Sequence, residues 1–134
     1  MDFDRIDDAF HYVSNAAPGE RSAVLRRSSG EVYLASQKAG FDERPPGCAD
    51  DPDCLAIPHR QDLDPGKALF IDFIRSHAPE LLARVEALFE RPGAFRNVKD
   101  LFKRQGLLES WQVYESGQLE VLLRQWCSDQ HLPL

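Results

Sequence analysis

The stretch PGAFRNVKDLFKRQGLLESWQVYE, residues 92–115, combines a core-building apolar face with a coherent charged face. It contains four aromatic residues and four of the sixteen basic residues of the chain. On a helix, Phe95, Val98 and Phe102 fall at positions i, i+3 and i+7, so they share one face. This spacing predicts a helix over residues 94–105 that buries the three side chains in a core.

The same helix carries a second stripe, made of Arg96, Lys99 and Lys103 at the same spacing, with Arg104 at its end. Such a stripe can bind an anion, namely a phosphate backbone, a nucleotide or an acidic patch on a partner. The alternative is a solvated helix face whose late bases suit the negative end of the helix dipole. Asp100 favours this alternative, because it can pair with Arg96 or Arg104 at i,i+4 spacing.

Trp111 and Tyr114 follow the basic stripe, and aromatic side chains beside basic ones can stack nucleobases. More often such residues fill a core and place one polar tip at its edge. Glu115 lies at i+4 from Trp111, and a partly buried carboxylate there needs a partner, for which Arg96 or Lys99 is suitable. The candidate binding residues are therefore Arg96, Lys99, Lys103, Arg104, Trp111 and Glu115.

The chain on the N-terminal side of this stretch shows first a helical pattern and then strands. A helix is predicted over residues 4–16, and two strands over 22–27 and 31–36 are joined by a tight turn into a hairpin. Residues 40–53 predict a loop, because they are rich in proline, glycine and acids. The short apolar run 54–58 predicts a third strand, since a two-stranded sheet alone is marginal in water.

The flanking regions of the second half are predicted to be helical. Asp64 and Pro65 indicate a helix that begins with an N-cap and a proline at its first position. Pro79 ends that helix and can open the next one. A last helix is expected from residue 107 to about 129, with an interruption near Gly117.

These elements predict one α+β domain over residues 1–134. Its N-terminal helix and small antiparallel sheet, a hairpin plus a third strand, are expected to pack against a C-terminal helical bundle. Residues 1–64 hold the helix and sheet with the acidic loop 40–53, and residues 65–134 form the helical half.

Composition favours a soluble globular protein, because 43% of the residues are hydrophobic and 28% are charged. No apolar run approaches the roughly 20 residues that a membrane helix needs, so no membrane interaction is expected. The acidic N-terminus is unlike a secretory signal. Three cysteines, an odd number, fit a reducing compartment, and a cytoplasmic location is expected.

Charge is distributed unevenly along the chain. Residues 1–64 carry 13 acids and 7 bases, whereas residues 65–134 carry 9 of each, so the net charge of −6 belongs to the first half. The overall charge disfavours broad attraction to nucleic acid. The second half can nevertheless hold a local basic face.

His59, Arg60 and Asp62 form a secondary candidate site between the third strand and the next helix. Junctions of this kind often hold active sites. His59 could act as a general base that Asp62 orients. No serine, threonine or cysteine nucleophile lies in a recognisable elbow beside it, so an acyl-transfer signature is missing.

Cys48 and Cys54 flank the acidic segment ADDPD. Their spacing is not that of a usual zinc pair, and the acids lack the pattern of a calcium loop. A flexible acidic loop without metal is the first interpretation, and a redox disulfide between the two cysteines is the alternative. No glycine-rich phosphate loop or dinucleotide fingerprint is present, so neither a metal nor a cofactor is expected.

Five segments carry a family resemblance. They are SGEVYLAS at 29–36, AIPH at 56–59 with DLDPG at 62–66, GAFRNVKDLFKRQGLLESW at 93–111, VYE at 113–115, and the ending with RQWC at 124–127. In this order they resemble the bacterial UPF0158 family of uncharacterised proteins over nearly the whole chain. The loop GCADDPDC is a departure from it. The resemblance implies a bacterial cytosolic origin and no particular activity.

The sequence therefore leads to three functional hypotheses. The first is a non-enzymatic protein-interaction or regulatory module that uses the helical half, with no catalytic residues. The second is nucleic-acid binding through the basic helix 94–105, which strong salt dependence would distinguish. The third is a small enzyme that uses His59 and Asp62. Homodimerisation stays open for a domain of this size.

Overall fold

The computed structural model describes residues 1–134 as an α+β protein with a four-stranded antiparallel sheet. The helices are α1 (Phe3–Ser14), α2 (Arg60–Leu63), α3 (Lys67–His77), α4 (Leu82–Phe89), α5 (Ala94–Arg104) and α6 (Leu108–Asp129). The strands are β1 (Arg21–Arg26), β2 (Val32–Ser36), β3 (Phe41–Asp42) and β4 (Cys54–Ala56), in the spatial order β3-β2-β1-β4. The predicted fold class is thus confirmed.

The chain divides into two compact units. The N-terminal unit comprises Met1–Leu63 and Glu120–Leu134, and the helical unit comprises Asp64–Leu119. The sequence division at residue 64 assigned the whole of 65–134 to the helical half, whereas the last fifteen residues join the N-terminal unit. The chain has no helix that is both long enough and apolar enough to cross a membrane.

The core of the N-terminal unit lies between α1 and one face of the sheet. Ile6 and Phe10 of α1 are buried with Ala23 and Leu25 of β1. Alternate residues of a strand point to opposite faces, so Val24 lies on the other face of the sheet. The hairpin β1–β2 forms as predicted, with Leu25 paired to Val32 across the turn.

The acidic loop contains more structure than its composition indicated. Within residues 40–53 the chain forms the two-residue strand β3 and a 3-10 helix, Cys48–Asp50. Ser36 pairs with Phe41 in the added strand. Two residues are too few to show an alternating pattern, which is why this strand was missed.

The core of the helical unit is an aromatic cluster contributed by α3, α5 and α6. Trp111 stacks on Phe70 with ring centroids 4.1 Å apart, and Phe73 meets Phe102 at 5.3 Å. Val85 of α4 is also fully buried in this cluster. Burial of such rings makes the largest apolar contribution to the stability of a small unit.

Two predicted helix boundaries are wrong. Helix α3 begins at Lys67 with Gly66 as its N-cap residue, rather than with Asp64 as cap. Gly66 adopts a φ of 65°, and the Asp64 carboxylate accepts its N–H at 2.7 Å in a local turn. Helix α6 runs without interruption through Gly117.

Candidate functional site

Helix α5 presents an exposed cationic face. Arg96, Lys99 and Lys103 lie on the side opposite the buried Val98 and Phe102. None of the three forms an ion pair, and Arg104 at the end of the helix is likewise exposed and unpaired. The charges therefore point to solvent without internal compensation.

Asp100 does not neutralise this face. The carboxylate is exposed and pairs with neither Arg96 nor Arg104, although the i,i+4 spacing allows either pair. Exposed pairs of this kind contribute little, so solvated side chains are an equally stable arrangement. The face consequently keeps four basic groups and one acid.

Trp111 is a core residue and is not available to bind a ligand. Its side chain is 1% exposed and is enclosed by Phe70, Phe73 and Phe102. A ring enclosed in this way cannot stack on a ligand, so the core interpretation of Trp111 is the one that the structure shows. Tyr114 is half-buried at the edge of the same cluster.

Phe95, rather than Trp111, is the aromatic side chain that is exposed beside the basic stripe. The periodicity predicted a buried Phe95, yet its side chain is 50% exposed. It lies in the first turn of α5, where the ring touches the rim of the core at Phe70 (5.6 Å) and Phe89 (5.5 Å). The sequence feature that could have indicated this exposure is the position of Phe95 at the end of the apolar stripe.

Phe95 is also the aromatic residue next to the cations. Lys99 follows Phe95 at i+4, so the two side chains are neighbours on the helix surface. On the other side, the Lys67 ammonium lies 5.7 Å from the centroid of the Phe89 ring, which contacts Phe95. We name Phe95, Arg96, Lys99, Lys103 and Arg104 the α5 surface.

The expected partner for Glu115 is not found on the basic stripe. Glu115 is half-buried on α6, but neither Arg96 nor Lys99 takes part in an ion pair. Sequence spacing predicted the need for a partner and could not predict which residue is within reach. Glu115 therefore does not belong to the α5 surface.

His59 has a structural role at the start of α2. Its side chain is 7% exposed, and Nε2 lies 2.8 Å from the carbonyl oxygen of Ala16. Nδ1 accepts the backbone N–H of Gln61 at 3.1 Å, so the proton of a neutral ring is on Nε2 and is donated to Ala16. Both ring nitrogens are occupied, which contradicts the general-base interpretation.

Asp62 and Arg60 complete the same cap. The Asp62 carboxylate accepts the backbone N–H of His59 at 3.0 Å, and the N–H of Arg60 is donated to Ser14 Oγ at 3.0 Å. Asp62 thus bonds the main chain of His59 and leaves the imidazole to other partners. The bond from the His59 N–H to Asp62 is one half of a capping box, and the His59 side chain caps the N–H of the second helical residue, Gln61. It holds a structural turn and assembles no catalytic pair.

The three cysteines are free thiols. Cys48 and Cys54 line one cavity of about 570 Å³, whereas Cys127 is buried in the core of the N-terminal unit. No group of three or more His, Cys, Asp or Glu side chains is arranged to hold a metal ion.

Comparisons of the chain with models of known protein families, with curated proteins and with solved structures found no significant match. The α5 surface is therefore described by its own chemistry. That chemistry consists of four exposed cations beside one half-exposed aromatic ring.

Proposed function

We propose that the protein is a non-enzymatic interaction module that binds an acidic segment of a partner protein through the α5 surface. The observation that carries this proposal is the presence of four exposed basic side chains, none of them in an ion pair, on one helix of a chain with net charge −6. Charges that are not paired internally are available for an external anion.

Phe95 supports a protein partner over a simple anion. Aromatic and arginine side chains are the residue types that most often anchor protein interfaces. The rim contacts with Phe70 and Phe89 hold the Phe95 ring, so little conformational freedom is lost when a partner covers its exposed half. An acidic segment that also carries an apolar side chain fits this combination.

Nucleic-acid binding through the same helix is the alternative. The burial of Trp111 makes that ring inaccessible to nucleobases, and the overall negative charge opposes a polyanion. The half-exposed Phe95 ring could still stack on a base, so the experiment below also tests this alternative.

The same proposal includes a cytoplasmic location and membership of the UPF0158 family. The free thiols fit a reducing compartment. The order of the five segments along the chain supports the family assignment, and residues 93–115 carry the pattern that is specific to it.

The test is an affinity capture from a bacterial lysate with the full chain, divided into nuclease-treated and untreated halves. The wild type is compared with the double variant Lys99→Glu/Lys103→Glu. A matched control, Lys38→Glu/Arg84→Glu, makes the same change in net charge at two exposed positions outside the α5 surface.

We expect a protein partner that survives nuclease, is retained by the control and is weakened roughly tenfold or more by the α5 variant. Equal capture by the wild type and the α5 variant would contradict the proposal. Capture that depends on nucleic acid, with a strong salt dependence, would select the alternative instead.

A further inference from the structure

Cys48 and Cys54 lie at the two ends of one short folded segment. The N–H of Asp51 donates to the carbonyl oxygen of Cys48 at 3.2 Å, and the N–H of Cys54 donates to that of Asp51 at 3.0 Å. These two consecutive turns fold the segment back on itself. As a result both cysteines line the same cavity.

The sheet directs Cys54 toward this cavity. Cys54 pairs with Arg26 and Ala56 with Val24 across strands β4 and β1, so Cys54, Ala56 and Val24 share one face of the sheet. This is the face opposite the α1 core. Cys48 approaches it from the 3-10 helix, where its side chain is 8% exposed.

Hydrogen bonds fix the chain immediately before Cys54. The carbonyl oxygen of Asp53 accepts the N–H of Arg27 at 2.7 Å. The Asp53 carboxylate accepts the N–H and the hydroxyl of Ser28 at 3.0 Å and 2.6 Å. A thiol whose backbone is held in place loses little freedom when it bonds to a neighbouring thiol.

The two thiols interact with each other. An interaction with the Cys48 thiol, followed by burial, raises the pKa of Cys54 to about 11, so Cys54 keeps its proton. The side chain of Arg44 lines the same cavity as the two thiols. A cation in the cavity stabilises negative charge that forms on sulfur during a reaction.

We propose that Cys48 and Cys54 are an oxidative modification site that closes reversibly to an intramolecular disulfide on reaction with a hydroperoxide. The Cys48 thiolate attacks the peroxide, the O–O bond breaks, hydroxide leaves and Cys48 becomes a sulfenic acid. The released hydroxide takes the proton of Cys54 and becomes water, and the Cys54 thiolate then attacks the Cys48 sulfur. The S–O bond breaks, the S–S bond forms and hydroxide leaves from Cys48.

Cys127 serves as an internal control for this reaction. It is fully buried in the core of the N-terminal unit, and burial raises the pKa of its thiol. It does not line the cavity that Cys48 and Cys54 share. A buried thiol of this kind is inert.

The experiment treats the reduced full chain with an equimolar amount of hydrogen peroxide, alkylates the remaining thiols and digests the chain on the N-terminal side of aspartates. This cleavage separates Cys48, in the peptide 42–49, from Cys54, in the peptide 53–61. We expect the free thiols to fall from three to one, and the two peptides to stay linked until a reductant is added.

Two variants identify the attacking sulfur. In Cys54→Ser a sulfenic acid should persist on Cys48 and react with dimedone, whereas Cys48→Ser should lose its peroxide reactivity. Three unreacted thiols, a link to Cys127, a link between two chains or overoxidation of Cys48 without a bond to Cys54 would each overturn the proposal. Oxidation of Cys48→Ser at the wild-type rate would overturn the assignment of Cys48 as the attacking thiol.

Discussion

The N-terminal unit and the helical unit differ in what their polar side chains do. In the N-terminal unit, polar side chains bond the main chain: Tyr12 donates to the Ala35 carbonyl at 3.2 Å, Arg21 to the Tyr12 carbonyl at 3.1 Å, and His59 caps α2. In the helical unit the interior is an aromatic cluster, and side chains bond the main chain only locally, as from Ser76 to the Asp72 carbonyl at 3.1 Å. The basic side chains of α5 bond no other residue.

This difference follows from the elements that make up each unit. Long helices satisfy most of their own backbone groups, so their surface side chains are free to meet a partner. Short strands and turns leave buried N–H and C=O groups that side chains must satisfy. A polar residue in the N-terminal unit is therefore more often structural, even when its neighbours suggest chemistry, as at His59 and Asp62.

The largest expected effect comes from the aromatic core of the helical unit. We expect Trp111→Ala to lower the free energy of unfolding by about 3–5 kcal/mol, because it removes a fully buried ring and leaves a cavity. Urea denaturation followed by circular dichroism measures the loss. Val113→Ala, at a residue 71% exposed on the same helix, is the matched control and should change the value by less than about 0.5 kcal/mol.

The second-largest effect on stability is expected at His59, which caps helix α2 in the N-terminal unit. His59→Ala removes the acceptor for the Gln61 N–H and the donor to the Ala16 carbonyl. The expected loss is about 2–3 kcal/mol by the same denaturation. His59→Asn can restore the cap without reaching Ala16, so it should recover roughly 1 kcal/mol. A His59→Ala variant of wild-type stability would show that the ring does not support the turn.

A smaller effect on stability is expected at low pH, where the Asp42 carboxylate becomes protonated. Hydrogen bonds from the Arg44 side chain, followed by that from its backbone N–H, lower the pKa of Asp42 from 3.8 to about 2. The stabilisation by this exposed pair is present above pH 3.8 and is lost as the pH falls through about 2. NMR titration of the Asp42 carboxyl measures the midpoint. Arg44→Gln should move it toward 3.8, and an unchanged midpoint would contradict this assignment of the cause.

The smallest effect on stability is expected where the effect on binding is largest. Lys99→Glu/Lys103→Glu should change the free energy of unfolding by less than about 1 kcal/mol, since neither side chain contacts a charged partner in the fold. Lys99→Gln/Lys103→Gln separates loss of charge from reversal of charge. A larger loss of stability in either variant would mean that the two lysines stabilise the fold. The polar side chains of the two units would then not differ in role as described above.

The helices and the hairpin could be predicted because their signals are local. The apolar spacing of α5 and the turn before Gly30 are properties of adjacent residues. Strand β3 and helix α2 could not be predicted in this way. β3 exists because β2 offers it an edge, and α2 exists because a histidine, which is not a usual N-cap residue, reaches the N–H of Gln61.

The candidate site was predicted only in part. The basic stripe follows from helical spacing and is exposed as expected. The burial of Trp111 and the exposure of Phe95 could not be predicted, because both residues lie on apolar stripes. Only the neighbouring helices determine which of the two rings is covered. The partner of Glu115 depends on distances between elements, which spacing along one helix does not contain.

The stacking of Trp111 on Phe70 also gives the protein an optical property. Of the two tryptophans, Trp111 lies in the helical unit and is shielded from water, whereas Trp126 lies in the N-terminal unit and is half-buried. An indole away from water emits at a shorter wavelength than a hydrated one. Each unit thus carries one tryptophan with its own emission maximum, and tryptophan fluorescence can follow the unfolding of either unit without a label.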